Sequence, residues 1–238
     1  MASPLRKQRD ALLNKQSGKS EIHQPSGAEP KSLHLLLVEL ANDEKVLKGF
    51  NRIEDKVEHK RDVLVPKYKR AVEEYLESGE RFDNPLFAIM IVWLFDIDDL
   101  ETAIDWCNKA IERELDTPSR FKRDFATFCA DEVLKWCEKM AAQGHSIEPF
   151  FSHTFKKVRE EWRINEALTA KWYKFAGLML LRDEDGKPLA SSVGDIEILE
   201  TARGLLIEAG NQSAKAQVKS QIEKIDMRIR ALKDGTNL

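Results

Sequence analysis

Residues 85–118 read PLFAIMIVWLFDIDDLETAIDWCNKAIERELDTP, and this stretch decides the fold. Leu86 to Phe95 form the longest apolar run in the chain. Ten residues fall far short of the ~20 that span a bilayer, so the run belongs in a protein core. Asp96, Asp98 and Asp99 interrupt it. Leu100, Ala103, Ile104, Cys107, Ala110 and Ile111 then recur at steps of three and four, which places them on one helical face. The spacing predicts a helix over Thr102–Leu115, stopped by Pro118. The expected unit is a helical hairpin: a nearly all-buried helix, an acidic turn, and an amphipathic helix folding back. Ala103 and Ala110 are small enough to let the two axes come close.

Working outward, the whole chain reads as all-α. Eleven Gly and eight Pro in 238 residues leave long segments without breakers, and most of those segments carry helical periodicity. Charge is uneven along the chain. Residues 1–70 hold 15 Lys+Arg against 10 Asp+Glu, while the rest hold 23 against 31, so the N-terminal part is the one expected to meet a polyanion. Cys107, Cys129 and Cys137 are odd in number and sit inside helical patterns, as reduced core thiols of a cytoplasmic protein do. Met1 to Ser20 lacks the apolar centre of a signal peptide, and no membrane anchor is expected.

Residues 1–31 are polar and turn-rich and are expected to form a disordered arm, with a transient helix over Leu5–Asn14. Gly18-Lys19-Ser20 imitates the end of a phosphate loop, but the earlier glycine that such a loop requires is Leu13. Residues 32–79 form the expected N-terminal helical region. Ser32 is a candidate N-cap for a helix carrying Leu33, Leu36, Leu37 and Leu40. A second helix is expected from Asn42 to Val63, with Val46, Leu47, Phe50, Ile53 and Val57 as its apolar stripe. Beside that stripe run Lys45, Lys48, Arg52, Lys56 and Lys60, a row of cations able to follow phosphates. The same row also describes a solvated face with Asp/Glu–Lys pairs along the helix. Arg61, Lys67, Lys69 and Arg70 extend the patch. Val65, preceding Pro66, marks the expected break before a further helix ending near Ser78-Gly79. Helix, short turn, helix is compatible with a helix-turn-helix-like reader.

Residues 80–188 form the expected central core and assembly region. Beyond the hairpin, a helix is expected over Phe121–Met140, a short aromatic segment over Glu148–Phe155, and a helix over Asn165–Leu181 burying Trp172, Phe175, Ala176, Met179 and Leu180. Arg182 to Pro188 is a loop. Residues 189–238 form a C-terminal hairpin. Asp195 opens a helix with Ile196, Leu199, Ala202, Leu206 and Ala209, ending at Gly210. From about Ser213 a second helix carries Val218, Ile222, Ile225, Ile229 and Leu232 at steps of four, three, four and three. That seam is able to pack on its neighbour or on another subunit, and it is the candidate oligomerisation surface. The two Asp-led helix pairs are loosely tetratricopeptide-like.

No catalytic constellation stands out. Asp55, Glu58 and Lys60 resemble fragments of a metal-dependent nuclease site but occupy solvated-face positions on a helix. Cys129, Cys137, His145 and His153 lack the close paired spacing of a zinc site. Asp96, Asp98 and Asp99 lack the ligand spacing of a calcium loop and suit a turn that caps the next helix. No cofactor and no metal are expected.

The order and wording of several blocks carry a family resemblance. Residues 35–50, LLLVELANDEKVLKGF, precede Lys60-Arg61-Asp62-Val63-Leu64-Val65-Pro66-Lys67-Tyr68. Then come Ile89-Met90-Ile91-Val92-Trp93-Leu94-Phe95-Asp96-Ile97-Asp98-Asp99 and, after Pro118, a helix beginning near Phe125. This resembles the GpM-type small subunit of tailed-phage terminases over about Leu35–Phe155. The resemblance implies a non-catalytic component of a viral DNA-packaging machine, acting in the host cytoplasm. Such subunits bind the packaging site on double-stranded viral DNA, assemble into homo-oligomeric rings, and deliver DNA to a large subunit carrying the ATPase motor and nuclease. They are often called the endonuclease subunit, which is taken here as participation in end formation. The stretch after Lys233 lacks the Lys/Arg/Pro-rich tail of some relatives, so the N-terminal arm and the Lys45–Arg70 patch are the expected DNA contacts. The alternative is a helical-repeat protein–protein adaptor that never touches DNA; a further one is a nuclease using Asp55 and Glu58.

Overall fold

The main core is packed around the helix Pro85–Asp96, as the apolar run demands. The computed structural model describes residues 32–183 and 185–236. In chain order the helices are α1 (Leu33–Gly49), α2 (Ile53–His59), α3 (Val65–Glu77), α4 (Pro85–Asp96), α5 (Leu100–Glu112), α6 (Phe125–Ala142), α7 (Phe150–Glu160), α8 (Glu166–Met179), α9 (Ile196–Gln212) and α10 (Lys219–Lys233). A π-helical turn, Lys60–Leu64, joins α2 to α3. No strand occurs among the described residues beyond a single bridge between Arg182 and Pro188. The disordered-arm expectation for 1–31 lies outside them.

The α4 helix starts where its sequence says it should. The Asn84 side chain accepts hydrogen bonds from the Leu86 and Phe87 amides, and Pro85 occupies the first turn, where no amide is needed. All ten residues from Leu86 to Phe95 are buried, because a helix apolar on every side needs a partner on every side. Aromatic contacts mark those partners: Tyr68 of α3 lies against Trp93, Trp106 of α5 against Phe87, and Phe128 of α6 against Phe95. The acidic turn follows. Asp98 takes a left-handed conformation and Asp99 caps α5 by accepting from the Thr102 amide. Ala103, Cys107 and Ala110 are fully buried on the face that returns along α4.

Past this hairpin, Asp124 caps α6 through the Thr127 amide. Phe151 and Phe155 of α7 stack with Trp172 of α8, whose indole nitrogen donates to the Ala130 carbonyl of α6. The C-terminal hairpin has its own apolar centre, built from Leu199, Ala202, Leu206 and Ala209 of α9 with Val218, Ile225 and Ile229 around α10. It joins the body through α8. Gly177 permits that contact, since a methyl group there would meet the Ala202 carbonyl oxygen and the Leu206 side chain at 3.0 Å.

Several boundaries differ from the sequence expectation. The first helix runs through Asn42 to Gly49, and the break falls at Phe50–Arg52, where the backbone is extended. Asn42 faces solvent on the helix surface, so nothing there competes with helix; Gly49, a weak helix former, ends it. The expected apolar stripe is therefore split: Leu47 is buried, but Val46 is 51% and Ile53 74% exposed. No break occurs at Val65. Pro66 cannot bond the carbonyl four residues back and would crowd it, and the wider π turn gives the ring room. There the Val65 amide bonds the Lys60 carbonyl, five residues back. Phe121 precedes α6 and anchors the loop by packing on Phe128. The α5 helix stops at Glu112, with Glu114 left-handed, ahead of Pro118. Leu180 is exposed, just past α8. The last helix begins at Lys219, since Ser213 closes α9 and Gln217 is left-handed.

Candidate nucleic-acid interface

The nine candidate DNA contacts lie on five successive segments. Lys45 and Lys48 are on the C-terminal half of α1, where the helix dipole favours cations. Arg52 is in the bend, Lys56 is on α2, Lys60 and Arg61 are in the π turn, and Lys67, Lys69 and Arg70 are on α3. The bend at Phe50–Arg52 means that Lys45–Lys60 is not one straight row.

Four of the nine are engaged with carboxylates. Lys60 reaches Asp96 at 2.6 Å, and its side chain is only 15% exposed. It sits on the inner face of the helix and ties the π turn to the acidic turn after α4. Lys67 points at α1, 2.6 Å from Asp43 and 3.7 Å from Glu39. Tyr68 donates to the same Asp43 carboxylate at 2.6 Å. Burial pushes the Asp43 carboxyl up, but the hydrogen bonds from Lys67 and Tyr68 and the Lys67 charge outweigh it and hold the group below its usual range. Burial and the Asp43 hydrogen bond both raise the Tyr68 phenol, which stays protonated. Lys69 and Arg70 pair with Glu73 and Glu74 one turn on, in exposed and readily exchanged bridges. Lys45, Lys48, Arg52 and Arg61 are exposed, Lys56 is half-buried, and none of the five makes an ion pair among the described residues.

A groove of about 550 Å³ opens between α2, the π turn and the acidic turn, lined by Glu54, Glu58, Arg61, Asp62, Asp96 and Asp98 among others. Its carboxylates outnumber its cations, so the groove itself is unfavourable to phosphates. The nuclease-like set is not assembled: Lys60 is committed to Asp96, and Asp55 does not line the groove. Among the described residues no group of three or more His, Cys, Asp or Glu side chains could hold a metal ion. No described helix is long and apolar enough to cross a membrane.

The C-terminal seam is occupied within the chain. Val218, Ile225 and Ile229 are buried against α9, and Ile222 and Leu232 pack on the same cluster half-buried. The hairpin's outer side shows Ile198, Ile207 and Met227. The Asp43–Lys67–Tyr68 clasp escaped the sequence reading, because its partners are more than 20 residues apart and no local period links them.

Comparison with known proteins places this architecture. The family model described as phage small terminase subunit matches residues 37–167, from α1 into α8. The chain is 39% identical over 198 residues to the "Probable terminase, endonuclease subunit" of Haemophilus phage HP1, covering 83% of this chain and 70% of that protein. It is 25% identical over 195 residues to the "Terminase, endonuclease subunit" of Escherichia phage P2, covering 82% of this chain and 73% of that one. No solved structure matches it. On the extent of the family match and of the HP1 similarity, the chain belongs to the phage small terminase subunit family.

Proposed function

We propose that the chain is the DNA-recognition subunit of a viral genome-packaging terminase, working in the host cytoplasm. As a homo-oligomer it binds the packaging or end site on double-stranded viral DNA and hands the DNA to the large subunit, which supplies the ATPase and nuclease. The observation that carries this reading is the set of exposed cations around the end of α1 that make no ion pair among the described residues: Lys45, Lys48 and Arg52, with Arg61 beyond them. Cations already bound to carboxylates must give up one partner to gain a phosphate; these need not. The positive balance of residues 1–70 adds a long-range field of the same sign. The words "endonuclease subunit" in the relatives' names are read as participation in end formation. Magnesium-dependent nicking of DNA by the purified chain, abolished by changing Asp55 and Glu58, would show instead that it cuts DNA itself.

The test is a salt titration of duplex binding. Each phosphate-contacting cation removed lowers the log–log salt slope by about 1. The triple change Lys48→Ala, Arg52→Ala and Lys56→Ala is expected to weaken binding and flatten the slope. Unchanged affinity and slope would move the interface elsewhere. Absence of duplex affinity in the wild type, at moderate salt, would favour the adaptor reading.

A further inference from the structure

A groove of about 460 Å³ runs between the N-terminal half of α1, the C-terminal half of α3 and the 79–84 loop. Leu33, Leu36, Ala71, Tyr75, Phe82 and Leu86 form its apolar lining. Contacts within the walls hold it open. The Tyr75 hydroxyl donates to the Phe82 carbonyl at 2.8 Å, the two rings meet edge-on at 5.0 Å, and Gly79 turns the chain in a left-handed conformation. Phe82 is nonetheless 39% exposed, and Leu33, Leu36 and Ala71 are only half-buried. A preformed, mostly apolar concavity is the usual form of a binding site.

The rim of this groove calls for positive charge. No basic residue lies in the last turn of α3, although a helix C-terminus favours cations. Glu77, Glu80 and Asp83 are exposed and make no ion pair among the described residues. Of the cations nearby, Lys67 is bound to Asp43, Arg70 is bound to Glu74, and Arg113 donates to the Leu76 and Glu80 carbonyls. That leaves Arg81 against three carboxylates. The chemistry that fits is apolar side chains flanked by Lys and Arg.

The chain carries a segment of that chemistry, and it joins the fold at the edge of the groove, since Leu33 is both the first residue of α1 and part of the lining. Upstream, Leu12-Leu13 is the one pair of adjacent large apolar residues in 1–31. Arg6, Lys7, Arg9 and Lys15 surround the pair, against Asp10 alone. We infer that residues 5–15 seat Leu12 and Leu13 on Phe82 and Leu36, set their cations against Glu77, Glu80 and Asp83, and so strap α1 to α3. Residues 14–31 separate Leu13 from Ser32, and eighteen residues reach up to about 60 Å, so the return is not limited by length. Tethering holds the segment at an effective concentration in the mM range, so a shallow contact suffices. The strap adds to the Asp43 clasp, at the end of α1 opposite to Lys45 and Lys48, and it does not depend on whether the chain binds DNA.

Hydrogen exchange and cross-linking of the full chain test the strap. Leu12→Asp together with Leu13→Asp is expected to leave the chain folded by circular dichroism while amides in 33–37 and 71–84 exchange several-fold faster. A synthetic peptide of residues 1–20, added to that variant, is expected to restore the protection; the same peptide carrying both substitutions is not. Leu12→Cys combined with Phe82→Cys is expected to form an intrachain disulfide under mild oxidation, the native thiols being buried. Exchange that the double substitution leaves unchanged would overturn the strap, whether or not a cross-link can be trapped. Linkage found only between separate chains, each carrying one of the two cysteines, would give the groove to a second copy and overturn it equally.

Discussion

Tyr68 and Asp43, on α3 and α1, share a 2.6 Å hydrogen bond that holds the first helix to the rest of the molecule. Lys67 binds the same carboxylate, so one acidic side chain anchors α1 through two neighbours in α3. Elsewhere α1 has few deep anchors, since only Leu40 and Leu47 of its residues are buried. The attachment of this helix thus combines the clasp with the packing of Leu36, Leu37, Leu40 and Leu47 on the main core.

Tyr68→Phe is expected to cost about 1.5–3 kcal/mol in urea unfolding, the range for a hydrogen bond to a charged acceptor. The pH dependence has a definite sign. Because the folded-state Asp43 carboxyl is held below its usual range, its contribution is complete above the unfolded value of about 3.9 and is lost as pH falls through the lower folded value. The stability difference between wild type and Asp43→Asn is therefore constant near neutrality and shrinks only in acid.

Lys60 and Lys48 are expected to separate a structural cation from a proposed DNA-binding one. Lys60→Ala removes a largely buried partner of Asp96 and is expected to cost about 1 kcal/mol of stability. Lys48→Ala removes an exposed side chain and is expected to change stability by less than about 0.5 kcal/mol while lowering the salt slope of DNA binding. Thermal melts and binding titrations on the two variants check both halves.

Two helical glycines should respond in opposite directions. Gly177→Ala drives a methyl group into the Ala202 carbonyl oxygen and Leu206, an overpacking expected to cost about 1–3 kcal/mol and to loosen the C-terminal hairpin. Gly204→Ala, on the exposed side of α9 with nothing within 4 Å, is expected to add up to about 1 kcal/mol. Denaturant midpoints compare them directly.

The thiols should be silent in the folded chain. All three cysteines are buried, and burial, with the charges of Glu148 and Glu138, pushes the Cys137 thiol up to about 12. Since the thiolate is the reactive form, labelling by a disulfide reagent at neutral pH is expected to follow the unfolding rate. Fast labelling of any cysteine in native buffer would contradict its placement.

The clasp also shows where sequence reading reaches and where it stops. Asp99, in the acidic turn read as a cap, opens α5 because a cap acts on amides two or three residues away, and such contacts are written locally. Pro66 misled for the matching reason. The rule that a proline breaks a helix assumes a regular α turn before it, and here a π turn supplies the missing room. Lys67 looked like one more surface cation, because nothing near it in the chain reveals that Asp43 will be alongside.

By itself, the sequence determined the central hairpin, the C-terminal hairpin and the all-helical class. Apolar period, caps and breakers act over a turn or two, and helices are built from contacts at that range. Tertiary structure alone decided the bend at Phe50, the capture of Lys60 and Lys67 by carboxylates 24 to 36 residues away, and the solvent-facing back of α1. Those outcomes depend on which helices come to lie side by side, and a charged side chain takes whichever partner that packing brings within reach.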